Sequence, residues 1–294
     1  MTSSDARPVL PAPHAIADRI LAGDLHALDG ETLGRWLAGE GDLWELMAAA
    51  DRLRRARFAD EVHLCSIVNA KMGGCPEDCG FCAQSKHFTT HIKADKFLDH
   101  EQMIAASRKA EAQGATALGL VTATRGYEDD SKALRHMIEG VRQVRAAGHT
   151  EAHASLGIVS KEALRQLKEA GMTEFNHNLE SGRSYYEKVV TTHTYDDRIA
   201  TITAAKELGL RTCVGGIFGM GERPEHRAEL ALELRRLDVD EVPINFLVSI
   251  EGTRLENVEP LEPREMLRIT ACFRLALPRQ NICIAAGRQH LGQL

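Results

Sequence analysis

From residue 62 to residue 286 the chain repeats one unit, a short apolar run, then a stretch of helical periodicity, then a turn, and this repetition restricts the fold more than any other feature. Helix-period segments at 100–113, 130–147, 160–170 and 195–208 run into Gly114, Gly148, Gly171 and Gly209, where a helix end favours a left-handed residue. Each leads to a strand-like run, at 117–122, 151–156, 174–178 and 211–218, and the alternation continues through a helix at 224–237, a strand at 241–248, a helix at 263–277 and a strand at 281–286. With a first strand at 62–69, the pattern predicts seven parallel strands of a TIM-type (β/α) barrel, incomplete at the eighth strand. A chain of 294 residues with 44% hydrophobic content can hold that barrel as one domain, and aromatics at only 5% call for an aliphatic core. Residues 1–60 are expected to form a loose arm over 1–13 and two or three helices, built on Leu33, Trp36, Leu37, Leu43, Leu46, Met47 and Leu53, that cap one end of the barrel formed by 61–294.

Charge and cysteine usage narrow the function. The net charge is −6 and no Lys/Arg block stands out, which argues against nucleic acid; no apolar run reaches membrane-spanning length, and the first residues lack the order of a signal peptide. A cytoplasmic protein is expected, and its seven cysteines, an odd number, suit free thiols and metal ligands better than disulfides.

Three of those cysteines, Cys75, Cys79 and Cys82, stand in one short loop after the first strand, spaced CxxxCxxC. Three thiolates at that spacing can hold three irons of a cubane [4Fe–4S] cluster and leave the fourth iron open to a ligand. Two other readings compete. A structural zinc would take a fourth ligand from His63, Cys65 or His87, and Cys79–Cys82 alone is a CxxC pair of the redox type, which would leave Cys75 without a role. The flanking residues decide for the cluster: the loop resembles the radical S-adenosylmethionine (SAM) signature, and the run 64–86, from Leu64-Cys65-Ser66 through Gly73-Gly74 to Ala83-Gln84-Ser85-Lys86, closely resembles the biotin synthase family.

The resemblance extends over about 62–288 and implies a radical SAM sulfur-insertion enzyme that uses a [4Fe–4S] cluster, SAM and an auxiliary iron–sulfur cluster to convert dethiobiotin to biotin. It also implies a small-molecule substrate and a flavodoxin- or ferredoxin-type electron donor, and it is compatible with a homodimer. Phe81 is similar in position to the family aromatic near the adenine of SAM. The run Gly215-Gly216-Ile217-Phe218-Gly219-Met220-Gly221-Glu222 is similar to the GxIxGxxE stretch against that adenine, which makes Gly215, Ile217, Gly219 and Glu222 candidate SAM contacts; read without the family, it is a glycine turn that ends a strand.

Asn176 and Asn178 share one face of the fourth strand, and inward amides in an apolar barrel need partners. In the family the matching positions bind the ureido ring of dethiobiotin and the SAM ribose, and Asn245 lies similarly in the substrate site. Glu180 stands where the family has a shorter polar side chain and is a candidate for a ribose hydroxyl. Alternatively, the three amides serve only loop backbone.

The family's second cluster is held by three cysteines and an arginine, and here the sequence departs. Only Cys213 is kept; the other two cysteine positions read Gly119 and His153, and the arginine position reads Cys283. Cys65 lies inward on the first strand, so Cys65, Cys213 and Cys283 are the expected ligands of a different auxiliary cluster, of the four-iron type; the alternative is three small apolar residues in the core. Such a changed site would also suit a biotin-synthase-like lipoyl synthase acting on an octanoylated carrier protein. A non-catalytic iron–sulfur or zinc protein is the remaining alternative. Cys272, among Leu267, Ile269 and Leu275, reads as core.

Overall fold

The computed structural model describes residues 8–292; of the arm expected over 1–13, residues 1–7 lie outside the described residues. Three helices come first: α1 (Pro13–Leu21), α2 (Gly30–Leu37) and α3 (Leu43–Phe58). Aspartates start two of them, Asp29 accepting from the Thr32 amide at 2.7 Å and Asp42 from the Trp44 and Glu45 amides at 2.8 and 3.0 Å.

The strands are β1 (Cys65–Lys71), β2 (Ala117–Thr122), β3 (Glu151–Ser155), β4 (Met172–Asn176), β5 (Arg211–Cys213), β6 (Gly216–Phe218), β7 (Glu241–Phe246) and β8 (Asn281–Ile284). The helices between and after them are α4 (His100–Ala112), α5 (Lys132–Ala147), α6 (Lys161–Glu169), α7 (Tyr186–Val189), α8 (Tyr195–Glu207), α9 (Pro224–Leu237) and α10 (Pro263–Ala276). Every ladder is parallel. β5 and β6 are two halves of one strand beside β7, so the eight segments occupy seven positions, as the alternation predicts, and β1 and β8 are the two edges of an open barrel among the described residues. Gly114, Gly148, Gly171 and Gly209 all have positive φ, the left-handed conformation that ends each helix.

The split of the fifth strand has a local cause. Asn178 Oδ1 accepts from the Gly215 amide at 3.0 Å, taking the place of a backbone partner, and a Cβ at Gly215 would lie 1.9 Å from the Pro243 carbonyl oxygen. Only glycine allows the two strands to approach that closely.

The expected aliphatic core needs one qualification: Trp36, Tyr186, Phe175, Phe218, Phe246 and Phe273 are among the largest fully buried side chains, so the few aromatics are concentrated inside. Phe218 and Phe273 meet edge to face at 5.0 Å. The first three helices share this core: α2 packs against α9 and α3 against α10 of the outer helical layer, and α1 packs on α3. Cys272 is buried in α10, as its apolar neighbours imply. No described helix is long and apolar enough to cross a membrane.

Candidate functional site

The loop after β1 carries Cys75, Cys79 and Cys82 onto the C-terminal end of the barrel. Its fold is fixed by its own backbone: the Cys75 amide donates to the Gln84 carbonyl at 3.0 Å, the Lys86 amide to the Cys75 carbonyl at 2.8 Å, and the Gly80 amide to the Val189 carbonyl at 2.8 Å. Gly73 opens the turn at φ +67°, where a Cβ would meet the Lys93 carbonyl oxygen at 2.7 Å. Asp78 anchors the far side by accepting from the Thr191 amide and hydroxyl at 2.8 and 2.6 Å. Partial burial pushes its carboxyl up, and the bonds from Thr191 and Thr192 outweigh this and hold it well below the usual carboxylate range.

The three cysteines line one cavity of about 400 Å³. Burial pushes all three thiols up, Cys79 to about 12 although Arg198 works the other way. Thiolates there need cationic partners, which irons supply. Among the described residues the one trio of candidate donor atoms lying within 4.8 Å of one another is elsewhere, so the loop thiols are spread too widely for a single tetrahedral ion and fit a cluster. Two of the three fourth ligands of the zinc reading are engaged elsewhere: His87 Nε2 faces the Pro76 carbonyl at 2.8 Å and His63 Nδ1 the Thr116 hydroxyl at 3.2 Å.

Phe81, Asn176, Asn178, Glu180 and Asn245 line the same cavity, but Gly215, Ile217, Gly219 and Glu222 do not. Glu222 accepts from the Gly219 amide at 2.9 Å and the Met220 amide at 2.8 Å, and Arg227 Nε donates to it at 2.7 Å, so it fastens the turn behind the cavity. Asn245 is occupied at both ends, donating to the Gly216 carbonyl at 3.2 Å and accepting from the Ala286 amide at 3.1 Å. Asn178 is engaged with Gly215 and with Glu180. Thr122 Oγ1, Asn176 Oδ1, His177 Nε2 and Glu180 Oε2, all on cavity-lining residues, are buried and have no hydrogen-bond partner among the described residues. Orphaned groups along one wall are what a polar ligand would satisfy.

Sequence reasoning missed Arg198. It is largely buried, its Nε donates to the Tyr186 hydroxyl at 2.6 Å and to His193 Nε2 at 3.0 Å, its Nη1 to the Asn178 carbonyl at 2.7 Å, and Glu180 lies 3.7 Å away. His193 Nδ1 in turn bonds Glu77 of the cysteine loop. No motif marks this helix residue; only the fold brings it under the loop.

At the floor of the cavity stand Cys65, Cys213 and Cys283, together with Glu241. The cross-strand pairs Cys213↔Glu241 and Pro243↔Cys283 put three of these on neighbouring inward positions. Glu241 Oε1 lies 3.7 Å from both Cys213 Sγ and Cys283 Sγ. Glu174, Cys213 and Glu241 form the compact donor trio. Burial, then Glu241, pushes the buried Cys213 and half-buried Cys283 thiols up; Cys65, on the edge strand β1, is exposed, and its thiol is raised by the same two causes. Gly119 and His153, at the family's cysteine positions, pair with each other across β2 and β3. His153 is fully committed, with Nδ1 3.1 Å from Glu174 and Nε2 3.3 Å from Glu151. Glu174 and Glu241 were legible by parity: they share the inward phase of Asn176 and Asn245, a signal that a search for cysteines passes over.

Known proteins match this arrangement. The family described as the Radical SAM superfamily matches residues 70–234, and the Biotin and Thiamin Synthesis associated domain matches residues 243–293. Among solved structures, methylornithine synthase (PylB) superposes with a TM-score of 0.77 at 20% identity, covering 91% of this chain and 78% of that one. HydG, a maturase of the [FeFe]-hydrogenase, gives 0.79 at 14% identity, covering 94% and 64%. These two show the fold, that of the radical SAM class. The biotin synthase of Carboxydothermus hydrogenoformans is 42% identical over 278 residues, 92% of this chain and 86% of the relative, and that of Trichlorobacter lovleyi is 44% identical over 247 residues, 84% and 74%. The chain belongs to the biotin synthase family. Membership brings the [4Fe–4S] cluster, SAM and an auxiliary iron–sulfur cluster as cofactors.

Proposed function

We infer that this protein is a radical SAM enzyme that inserts sulfur into dethiobiotin to form biotin. The observation that carries the reading is the single cavity with the signature cysteines at its mouth, orphaned polar groups on its wall and three more cysteines at its floor. When bound, the first cluster and SAM supply the 5′-deoxyadenosyl radical that removes hydrogen from an unactivated carbon.

The chain's own residues do the rest. Cys75, Cys79 and Cys82 hold the first cluster; Phe81, Asn178 and Glu180 border SAM, and Gly215, Ile217, Gly219 and Glu222 shape the turn behind it. Asn176 offers its free carbonyl oxygen to the ureido N–H of the substrate. Asn178, whose carbonyl oxygen is taken by Gly215 and whose amide nitrogen also serves Glu180, has one N–H left to offer. Asn245 acts through the backbone it ties together. Cys65, Cys213 and Cys283 hold a four-iron auxiliary cluster as the sulfur source. The barrel wall excludes water from the reacting carbon. Residues 61–294 are the catalytic unit and residues 1–60 an N-terminal arm and capping helices, in a cytoplasmic enzyme reduced by a flavodoxin- or ferredoxin-type donor.

The test is turnover of the anaerobically reconstituted protein with SAM and reductant, offered dethiobiotin or an octanoylated carrier protein. Biotin from the first arm supports the reading; lipoyl product from the second alone replaces it with a lipoyl synthase, and absence of 5′-deoxyadenosine in both arms would mean a non-catalytic protein.

A further inference from the structure

We propose that a second cavity, between α3, α10 and the outer face of β8, binds a short-chain aliphatic carboxylate through the guanidinium of Arg274. Ile282 lines this cavity and Cys283 the catalytic one, so the two back onto opposite faces of β8. The inference goes beyond the proposed reaction and does not depend on it. Arg274 is buried in α10, 6% exposed. Both of its hydrogen bonds leave from Nη2, to the Leu277 carbonyl and to the Gln280 carbonyl at 2.7 Å, and they close the C-terminal end of the helix. Nε is buried without a hydrogen-bond partner among the described residues.

Among the described residues no carboxylate answers this charge. Burial, and after it Arg57, draws the guanidinium down to about 10. Asp51, which lines the same cavity, is committed to Arg54 at 2.9 Å and Arg55 at 2.7 Å. The Phe58 ring, 5.4 Å from Arg274 Cζ, compensates only in part. A buried guanidinium with a spare N–H and no anion is what a carboxylate would satisfy. Much of the remaining wall is hydrocarbon, from Met47 and Ala50 of α3, Leu267 and Ala271 of α10, and Ile282. The Thr270 hydroxyl is spent on the Met266 carbonyl at 2.9 Å. A bare inorganic anion would leave those walls unfilled, and a neutral chain would leave Arg274 uncompensated. The cavity measures about 230 Å³, room for on the order of eight non-hydrogen atoms at ~30 Å³ each. Hexanoate is of that size.

The experiment titrates the reconstituted protein with hexanoate by calorimetry, with hexylamine and acetate as comparison probes. Hexanoate should bind saturably, hexylamine should not, and acetate, which leaves the walls empty, should bind about tenfold or more weakly. Arg274→Gln should weaken hexanoate by about tenfold or more, the loss expected of a charge-assisted hydrogen bond. Because Arg274 also closes α10, Ala50→Leu is the second variant: it fills the cavity from α3 and keeps the guanidinium. It should abolish hexanoate binding while circular dichroism and iron content match the parent. Parent-strength binding in either variant would put the ligand elsewhere, the catalytic cavity included, and overturn the proposal. So would hexylamine binding as tightly as hexanoate, the mark of an apolar crevice that does not read a carboxylate, and so would the absence of saturable hexanoate binding in the parent.

Discussion

The mouth and the floor of the cavity each gather three cysteines, and they do it by different means. At the mouth, eight consecutive residues carry all three thiols, and hydrogen bonds within the loop and to 189–192 set their spacing. The surroundings are mixed, with Arg198 and Arg125 facing Glu77 and Glu180. At the floor the thiols come from the first, fifth and last strands, and only strand register brings them together. Their near neighbours Glu174 and Glu241 are acidic. A loop site is therefore a property of a short peptide on a suitable support, and a register site is a property of the whole barrel: slipping one strand by a residue would turn its ligand outward.

The largest expected effect breaks the mouth. Cys79→Ala leaves two thiolates where three are the minimum for an open-iron cubane, so reductive SAM cleavage should fall to background, measured as 5′-deoxyadenosine, with the floor cluster still present. Parent-level cleavage in this variant would remove the loop from the mechanism. Breaking the floor should do the reverse. With Cys65, Cys213 and Cys283 all changed to alanine, iron content should drop by about half on the two-cubane count, biotin formation should stop and SAM cleavage should persist. A variant retaining all the parent's iron would make these three cysteines ordinary core residues.

Two smaller effects sharpen the contrast from the wall between the sites. Asn178→Ala removes the acceptor of the Gly215 amide, so an unfolding titration should show a loss of about 1–3 kcal/mol, together with weaker SAM or dethiobiotin binding at unchanged iron content. His177 is held neutral, its pKa pushed well below the ordinary value by burial and, after that, by Arg198 and His193. A folded-state pKa below the unfolded one means the unfolded chain takes up a proton that the folded one does not, so this contribution to stability is present above pH ~6.5 and is lost as pH falls, by at most about 1.4 kcal/mol per unit. His177→Phe, beside Phe175, should flatten the melting temperature between pH 7 and 5; an unchanged slope would show that another group sets the acid limit.

How much of this could be read from the chain follows the same divide. The cysteine loop was legible because its chemistry lies in contiguous residues, and the seven strand positions were legible because glycines punctuate them. The break in the fifth strand was not, since it depends on Asn178 reaching across from another segment to the Gly215 amide. Glu222 looked like a ligand contact because it closes a familiar run, yet the nearest unsatisfied amides, those of Gly219 and Met220, take its carboxylate first. Arg198 left no signal, because its partners Asn178, Glu180, Tyr186 and His193 lie on three separate turns of the chain that no motif joins. At the floor, alternation gave the inward faces correctly, and the acidic residues on those faces went unweighed while the search was for sulfur.

The seam between β1 and β8 carries a mechanical consequence. No ladder joins these two edges among the described residues, so nothing in the backbone fixes the girth of the barrel there. Cys65 stands on one lip and Cys283 on the other. A group gripped by both would act as a hoop, drawing the lips to a set separation and adding its binding free energy to the stiffness of the wall.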